Sequence, residues 1–307
     1  MRARLRRRGV DHGWVAEAPR EGNLSRGEPC VLRGLFRPTR VSLRIVDGLR
    51  AGGELCDLAS APRGFRWAGV SQNVADPLEL ERAHVEPGGL WIKVNWLSTH
   101  ARDASLRLRV SYGLEGLDDF RDDPALNRRA VRLVEGLFPA CRAVTRSRAL
   151  AAAIGRARFL QPIVYSNAPN GGALFHHDYV PGQAGVVFAQ LAGSTGWMAV
   201  PRFELEREVE AHLGRRVPRI GERLERRDAR IERLLNETPA FTRRLAAAGW
   251  FHVLRPGDAI VLPSPSRRGT AWHSVFCVGR GGNLALSMGF AAPGNDPRRH
   301  TKTHEGS

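Results

Sequence analysis

The stretch GGALFHHDYV, from Gly171 to Val180, places two histidines and an aspartate side by side at the end of a short apolar run. In a β-strand, alternate side chains share a face, so His176 and Asp178 would project together while His177 would point the other way. One imidazole and one carboxylate do not fix a catalytic metal, so a third ligand is needed. His273, in the later segment AWHSVF, is the best candidate.

Two histidines and one carboxylate on one face of a divalent ion leave three coordination positions open. This ligand set is typical of non-haem iron(II) oxygenases, in which substrate and dioxygen take the open positions. The sequence therefore predicts that His176, Asp178 and His273 are both the metal ligands and the catalytic residues. The alternative is that these histidines are partly buried hydrogen-bonding residues that hold no metal.

Short β-rich segments that would position these residues follow one another between residues 155 and 292. Their β-branched and aromatic residues, bounded by Gly, Pro, Asn and Asp, predict eight strands. Eight short strands with this spacing are typical of a double-stranded β-helix, the cupin-like jelly roll. The eight segments are LQPIVYSNA, GALFHHD, AGVVFAQLAG, GWMAVP, WFHVLRP, DAIVLPS, AWHSVFCVG and NLALSMGFA.

A segment of different composition, about residues 203–248, separates the fourth and fifth predicted strands. It is rich in Glu, Arg and Leu, and its apolar residues recur at helical spacing. Pro218 and Gly221 divide it into at least two helices. The expected fold class is therefore mainly β with α elaborations, in which a helical insertion lies between the fourth and fifth core strands.

The rest of the chain is expected to add to this core. Residues 1–154 are predicted to form an N-terminal α/β elaboration packed on the jelly roll of residues 155–292, and residues 293–307 a disordered tail. In the N-terminal part, VSLRIV and LWIKVNWLS look like strands, and DDPALNRRAVRLVEGLF looks like an amphipathic helix. No linker rich in Pro, Gly and Ser divides the two parts.

Composition excludes several classes of protein. Of the 307 residues, 42% are hydrophobic and 25% are charged, as in ordinary globular proteins. No run approaches the roughly 18 apolar residues of a membrane span, and we expect neither a secretory signal nor a membrane partner. The four cysteines are scattered, with no C-x-x-C pair, which indicates free thiols and a cytoplasmic location.

The net charge of +16 comes almost entirely from arginine, which supplies 45 of the 47 basic residues. Such a charge suits a polyanionic partner, so contact with nucleic acid is one interpretation. The other is that the charge is spread over a solvated surface, because many arginines fall in mixed-sign stretches such as GERLERRDARIERLL. Net charge bears on solubility and encounter rather than on the chemistry of a site.

In combination, these motifs resemble those of the JmjC-type, cupin-like 2-oxoglutarate oxygenases. The family pattern is an apolar strand ending in H-x-D, then Q-x-x-G-x-K, then P-G-D before a distal His. Here the corresponding segments are FHHD, QLAGST from Gln190 to Thr195, PGD from Pro256 to Asp258, and WHSV. EPCVLRGLF, which begins at Glu28, resembles the family's P-h-h-h-R-G segment, where h is an apolar residue.

The resemblance implies iron(II) held by His176, Asp178 and His273, with 2-oxoglutarate as the cosubstrate. It also implies that Asp258 lies in a turn and that Gln190 lies inside the barrel. The chain departs from the family at the Lys that commonly anchors the distal carboxylate of 2-oxoglutarate. A buried dicarboxylate needs a cationic or multi-donor partner. The candidate cosubstrate-binding residues are Tyr165, Gln190, Thr195 (which replaces the Lys), Arg202 and Arg280.

The function implied by the resemblance is that of a 2-oxoglutarate-dependent hydroxylase, a non-haem iron(II) dioxygenase. Its substrate would present a C–H bond of a protein, a peptide or a peptide-derived molecule, and a small-molecule substrate is also open. Two alternatives remain at this stage. One is a metal-dependent oxygenase that does not use 2-oxoglutarate, and the other is a non-catalytic cupin-like ligand-binding protein.

Overall fold

The structure is a computed structural model that describes residues 24–37, 66–72, 80–86, 90–97, 105–112, 124–169, 171–279 and 282–291. The described part is mainly β, with two antiparallel sheets and several helices. Its strands are β1 (Cys30–Leu32), β2 (Arg66–Gln72), β3 (Leu80–Glu86), β4 (Leu90–Leu97), β5 (Ser105–Tyr112), β6 (Arg158–Asn167), β7 (Gly172–His176), β8 (Gly185–Ala192), β9 (Ser194–Pro201), β10 (Phe251–Leu254), β11 (Ala259–Pro263), β12 (Ala271–Val278) and β13 (Asn283–Ala291).

The helices that are described over their full length fall in two groups. Three lie before β6 and four lie between β9 and β10. They are α1 (Pro124–Leu137), α2 (Ala140–Thr145), α3 (Arg148–Ile154), α4 (Arg202–Leu213), α5 (Ile220–Glu225), α6 (Ala229–Glu237) and α7 (Pro239–Ala247). No described helix is long and apolar enough to cross a membrane.

The large sheet has nine strands in the order β1-β11-β8-β13-β6-β5-β4-β3-β2, and the small sheet has four in the order β10-β9-β12-β7. All eight strands predicted between residues 155 and 292 are present, as β6 to β13. They are shared equally between the sheets, with β6, β8, β11 and β13 in the large sheet and β7, β9, β10 and β12 in the small one. Strands that follow one another in sequence therefore mostly change sheet.

The N-terminal strands extend the large sheet rather than forming a sheet of their own. β5 pairs with β6, and β4, β3 and β2 follow in turn. Of the N-terminal elements predicted from sequence, LWIKVNWLS contains β4 and DDPALNRRAVRLVEGLF contains α1. VSLRIV and the tail of residues 293–307 lie outside the described residues.

Local sequence signals explain where two of the helices between β9 and β10 begin. Asp228 caps α6 by accepting from the backbone N–H groups of Arg230 and Ile231 at 3.0 and 3.3 Å. Pro239 opens α7, where its missing N–H has no helical partner to lose. Buried residues from these helices form one cluster with Phe175, Met198 and Trp272 of the small sheet. The helices therefore cover the outer face of the small sheet.

A second apolar cluster fills the space between the two sheets. It includes Phe188 and Ile260 from the large sheet and Trp197 and Leu254 from the small one. Because both sheets bury one face here, neither can slip by one residue without turning its apolar side chains outward.

Three cysteines are described, and none of them forms a disulfide: Cys30, Cys141 and Cys277. Burial raises the pKa of Cys30 to about 11 and moves the pKa of Cys141 and of Cys277 in the same direction. These thiols are therefore neutral at physiological pH. Cys56 lies outside the described residues.

Asp258 joins the segment after β1 to the turn before β11. Its carboxylate accepts from Arg33 Nη1 at 2.7 Å and from the backbone N–H groups of Gly34 and Arg255 at 3.0 Å each. The turn predicted at this position is thus closed by a buried carboxylate that is only 7% exposed. The partner atoms come from both sides of the pairing between β1 and β11.

Replacing Asp258 with alanine is expected to lower the free energy of unfolding by about 3 kcal/mol, because two backbone donors and a guanidinium lose their acceptor. Urea unfolding measures the change. Ser147→Ala is the matched control, since it removes only the side chain that caps α3 by accepting from the Leu150 N–H at 3.3 Å, and it should cost about 1 kcal/mol. Equal losses in the two variants would contradict the structural role of Asp258.

Candidate metal centre

Strand pairing brings the two candidate histidine ligands together from distant parts of the chain. β12 pairs with β7 in antiparallel register, and His273 lies opposite His176. The other edge of β12 pairs with β9, where His273 lies opposite Ala199. His273 is thus held between two strands, and the small Ala199 side chain leaves room beside it.

An irregularity in β7 re-aims His176. Between the pairs His273–His176 and Val275–Ala173 the register shifts, so β7 has one residue more than β12. Such a bulge bends its strand and redirects a side chain. The carbonyl of Leu174, within the bulge, accepts from His176 Nδ1 at 2.7 Å. The Leu174 side chain itself is 66% exposed.

The third candidate ligand, Asp178, follows two residues after the end of β7. The sequence prediction placed it in the strand beside His176, but it lies beyond the strand. Its carboxylate nevertheless contacts both histidines, with Oδ1 at 3.6 Å from His176 Nε2 and Oδ2 at 3.4 Å from His273 Nε2. The three ligand atoms all lie within 4.8 Å of one another.

These atoms suit a metal ion in number and in chemical type. Two ligand atoms that bind one ion at right angles, with bonds of about 2.1 Å, lie roughly 3 Å apart. The observed separations of 3.4 and 3.6 Å are only slightly longer. Because His176 Nδ1 donates to the Leu174 carbonyl, its Nε2 carries the free lone pair. The donor set fits a divalent transition metal.

His273 is held in the neutral form that a metal needs. Its side chain is almost fully buried, and burial, reinforced by the nearby His176, lowers the pKa of His273 to about 3. Asp178 acts in the opposite direction and only partly offsets this. A neutral imidazole offers Nε2 to a cation without first losing a proton. The rings of His176 and His273 lie with their centroids 4.2 Å apart.

His177 points away from the other two histidines, as strand alternation predicted. Its ring meets Trp272 edge-on at a centroid distance of 4.9 Å, and its Nε2 lies 3.3 Å from Glu225 Oε2. Trp272 belongs to the cluster beneath the helices. His177 therefore faces α5 on the outer side of the small sheet.

Two of the candidate cosubstrate-binding residues, Gln190 and Thr195, bind each other. Thr195 Oγ1 donates to Gln190 Oε1 at 2.5 Å and accepts from Asn283 Nδ2 at 3.1 Å. Asn167 Nδ2 in turn donates to Asn283 Oδ1 at 3.1 Å. Gln190 lies inside the fold, as the resemblance implied, and both it and Thr195 are fully buried. This four-residue set is the neutral amide–hydroxyl network.

The neutral amide–hydroxyl network lies away from the metal ligands, near the start of β9. Thr195 is four positions before Ala199, which pairs with His273, and four strand residues span about 13 Å. Trp197, 2% exposed, stands between them, with its ring centroid 5.5 Å from that of His273. Sequence reasoning missed Trp197, Asn167 and Asn283, and no local pattern singles them out.

Replacing Thr195 with valine is expected to lower the free energy of unfolding by about 2 kcal/mol, because buried Gln190 and Asn283 each lose a partner. The metal affinity should stay unchanged, since Thr195 contacts none of the three ligands. Thermal unfolding and metal titration of the same preparation measure the two effects. A variant as stable as the wild-type protein would contradict the contribution of the network.

Arg202, a third candidate, is occupied by the helical segment. Its guanidinium donates to Glu206 at 3.0 Å, to Glu225 and to the Arg267 carbonyl at 2.7 Å each, and to the Gly221 carbonyl at 2.8 Å. Since Glu225 also contacts His177, Arg202 lies on the outer side of the small sheet. The prediction that Arg202 anchors a cosubstrate therefore gains no support from its contacts.

Of the remaining two candidates, Tyr165 lies half-buried in β6 and packs against the cluster between the sheets. Its ring centroid is 6.2 Å from that of Phe188. Arg280 lies outside the described residues. Among the described cosubstrate candidates, Tyr165 thus lies on the inner side of the fold and is not part of the neutral amide–hydroxyl network.

Comparisons with known proteins add little detail. No protein-family model matches the chain, and no curated protein matches its sequence. Among solved structures, the chain is similar to YcfD, a ribosomal oxygenase from Escherichia coli, with a TM-score of 0.36 and 14% sequence identity. The alignment covers 90% of this chain and 51% of that one, so the chain spans about half the length of that structure.

Proposed function

We propose that the chain is an iron(II)- and 2-oxoglutarate-dependent oxygenase that hydroxylates a C–H bond of a protein, peptide or peptide-derived substrate. The observation that carries the proposal is the convergence of His176, Asp178 and His273, whose ligand atoms lie within 4.8 Å of one another. A second observation supports it. The eight strands β6 to β13 are divided four and four between two sheets, as in a double-stranded β-helix.

The ligand set favours an open, catalytic metal site over a closed structural one. Two imidazoles and one carboxylate are typical of non-haem iron(II) sites and also occur in catalytic zinc sites, whereas structural zinc sites use four protein ligands. The resemblance of the motifs to those of iron oxygenases favours iron in this open site. No fourth His, Cys, Asp or Glu joins the group among the residues that the structure describes. Bound iron(II) would supply the activation of dioxygen, which no amino acid side chain performs.

The protein's own residues would hold the metal ion and orient its ligands. Asp178 approaches both imidazoles, His176 is fixed in one tautomer by the Leu174 carbonyl, and His273 is kept neutral by burial. The ring of Trp197, with its centroid 5.5 Å from that of His273 and 4.6 Å from that of Phe188, would limit the access of water to the inner side of the ligands. Trp197 Nε1 is buried and has no hydrogen-bond partner within the described residues. An oxygen atom of a bound ligand would satisfy this donor.

A second candidate function is a metal-dependent oxygenase that does not use 2-oxoglutarate. The neutral amide–hydroxyl network favours this candidate. Thr195 stands where JmjC-type oxygenases commonly have a lysine, and its hydroxyl is hydrogen-bonded to Gln190 and Asn283. A buried carboxylate without a cation or several free donors would be costly. The predicted cytoplasmic location and the predicted nucleic-acid contact stay predictions.

One titration separates the candidates. Under anaerobic conditions, iron(II) is added first and 2-oxoglutarate second, and the visible absorption band of an iron–keto-acid complex is recorded. The first candidate is supported if the band grows to saturation and 2-oxoglutarate is turned over to succinate in air. If iron binds but neither band nor succinate forms, 2-oxoglutarate is excluded. Oxygen consumption that depends on an added substrate then identifies the second candidate, and a compound that binds without any oxygen consumption identifies a non-catalytic ligand-binding protein.

A further inference from the structure

A cleft with a volume of about 170 Å³ lies among the helices between β9 and β10, outside the metal centre. Its walls come from the end of α4, the segment that follows it, and helices α5 and α6. The apolar part of the lining includes buried Val217, Ile231 and Leu234, together with Leu213, which is 40% exposed. Because an apolar cavity of about 150 Å³ holds a benzene-sized group, this cleft has room for one large apolar side chain.

The charged part of the lining is made of arginine alone. Arg215, Arg216, Arg223 and Arg230 line the cleft, and no acidic residue does. Arg223 is paired with Asp228, with Nη2 at 2.9 Å from Oδ2. For Arg215, Arg216 and Arg230 the described residues include no ion-pair partner. Three guanidinium groups therefore remain available to an anionic ligand.

The backbone around the cleft follows a defined path. Helix α4 ends at Gly214, which has the left-handed φ of 64° that glycine adopts without strain. The next turn is held by the Val217 N–H, which donates to Glu210 Oε1 at 2.9 Å. Arg219, at the start of α5, has a φ of 54°, which is unfavourable for a residue with a side chain. The segment between α4 and α5, which lines part of the cleft, therefore has a defined backbone conformation.

We propose that this cleft is a docking site for an acidic segment of a partner protein, which inserts one large apolar side chain between the arginines. The apolar lining contributes nothing to binding a small inorganic anion, and the arginines contribute nothing to binding a neutral apolar ligand. A peptide that carries an apolar residue between carboxylates uses both. Guanidinium groups also suit carboxylates because their donors can pair with both oxygens.

Charge complementarity of this kind gives specificity and fast association. Helix α6, which forms one wall of the cleft, also reaches the metal-bearing strand, since Asn236 Oδ1 accepts from the Phe175 N–H at 2.9 Å. Helix α6 thus connects the cleft with the strand that carries His176. The docking site does not require that the metal centre binds iron or is active.

Fluorescence anisotropy with the full chain tests the proposal. The probe is a labelled short peptide in which one phenylalanine is flanked by glutamates. We expect saturable binding that weakens as salt is added, because the paired charges are screened. Replacing the phenylalanine of the probe with serine, or its glutamates with lysines, should raise Kd at least about tenfold, the factor that corresponds to 1.4 kcal/mol.

The variant Arg215→Gln/Arg216→Gln/Arg230→Gln should raise Kd for the probe by a similar factor while the protein stays folded, as checked by circular dichroism. The matched control is Arg226→Gln/Arg227→Gln/Arg243→Gln, which removes the same charge from exposed arginines that do not line the cleft. Equal losses in the two variants would overturn the proposal, as would equal binding of the serine probe. So would arginine-dependent binding of single-stranded polyuridylate together with no binding of the peptide. His273→Ala should leave peptide binding intact, so the fate of this proposal is separate from that of the metal site.

Discussion

Replacing His273 with alanine is expected to lower the affinity for iron(II) by at least about 100-fold and to abolish turnover. Removing only an outer hydrogen-bond partner of a metal ligand commonly costs 10- to 100-fold in affinity, so loss of a ligand should cost no less. His273 Nε2 lies 3.4 Å from Asp178 Oδ2, and no fourth His, Cys, Asp or Glu among the described residues joins the group to take its place. Anaerobic calorimetric titration with iron(II), repeated with redox-inert manganese(II), measures the effect.

His177→Ala is the matched control for this variant. It removes an imidazole from the same short segment as His176, but His177 faces Trp272 and Glu225 on the outer side of the small sheet. We expect this variant and the wild-type protein each to bind one metal ion per chain. If His273→Ala binds metal as tightly as His177→Ala, the three-residue centre does not exist.

Replacing Arg202 with alanine is expected to destabilise the protein by about 3 kcal/mol without changing the affinity of the iron-loaded protein for a keto acid. The side chain of Arg202 is 9% exposed and that of Glu225 is 21% exposed, and removing one partner of such a pair leaves the other charge poorly solvated. Two backbone carbonyls, of Gly221 and Arg267, lose a donor as well. Urea unfolding gives the first quantity, and the anaerobic absorption titration gives the second.

A cosubstrate anchor would behave in the opposite way. If Arg202 bound the distal carboxylate of 2-oxoglutarate, Arg202→Ala would raise the Kd for 2-oxoglutarate strongly and leave the affinity for iron almost unchanged. Glu225→Gln provides the comparison, since it weakens the same ion pair but removes no cation. Similar destabilisation in the two variants, with unchanged keto-acid affinity, is the result expected from the contacts.

The core strands were readable from sequence because each is a short apolar run bounded by turn residues. Among the N-terminal strands, LWIKVNWLS was recognised, but β2, β3 and β5 were not. The strand SLRLRVSY alternates apolar and polar residues, so a test for period two finds it. RWAGVSQ offers no such alternation, and its pairing with β3 comes from the sheet that it extends. Strands without such alternation form because of their tertiary contacts, which a single sequence does not reveal.

The metal ligands were predicted from residue type and from order along the chain, whereas the cosubstrate candidates depended on register. Thr195 and Asn283 bond to each other because β9 and β13 both contribute to the interior, and nothing local to either residue indicates this. Likewise, the partners of Arg202 come from α4, α5 and the segment before β12. Contacts of this kind depend on packing between elements, which a single sequence does not display.

The position of β7 at the border of the small sheet has a kinetic consequence. In that sheet β7 pairs with β12. His176 and Asp178 can therefore separate from His273 when β7 detaches, while β9, β10 and β12 stay paired. Such partial opening costs less free energy than global unfolding. The rate at which a bound ion dissociates would then depend on how often β7 opens locally. Amide hydrogen exchange along β7 should slow when the ion is present.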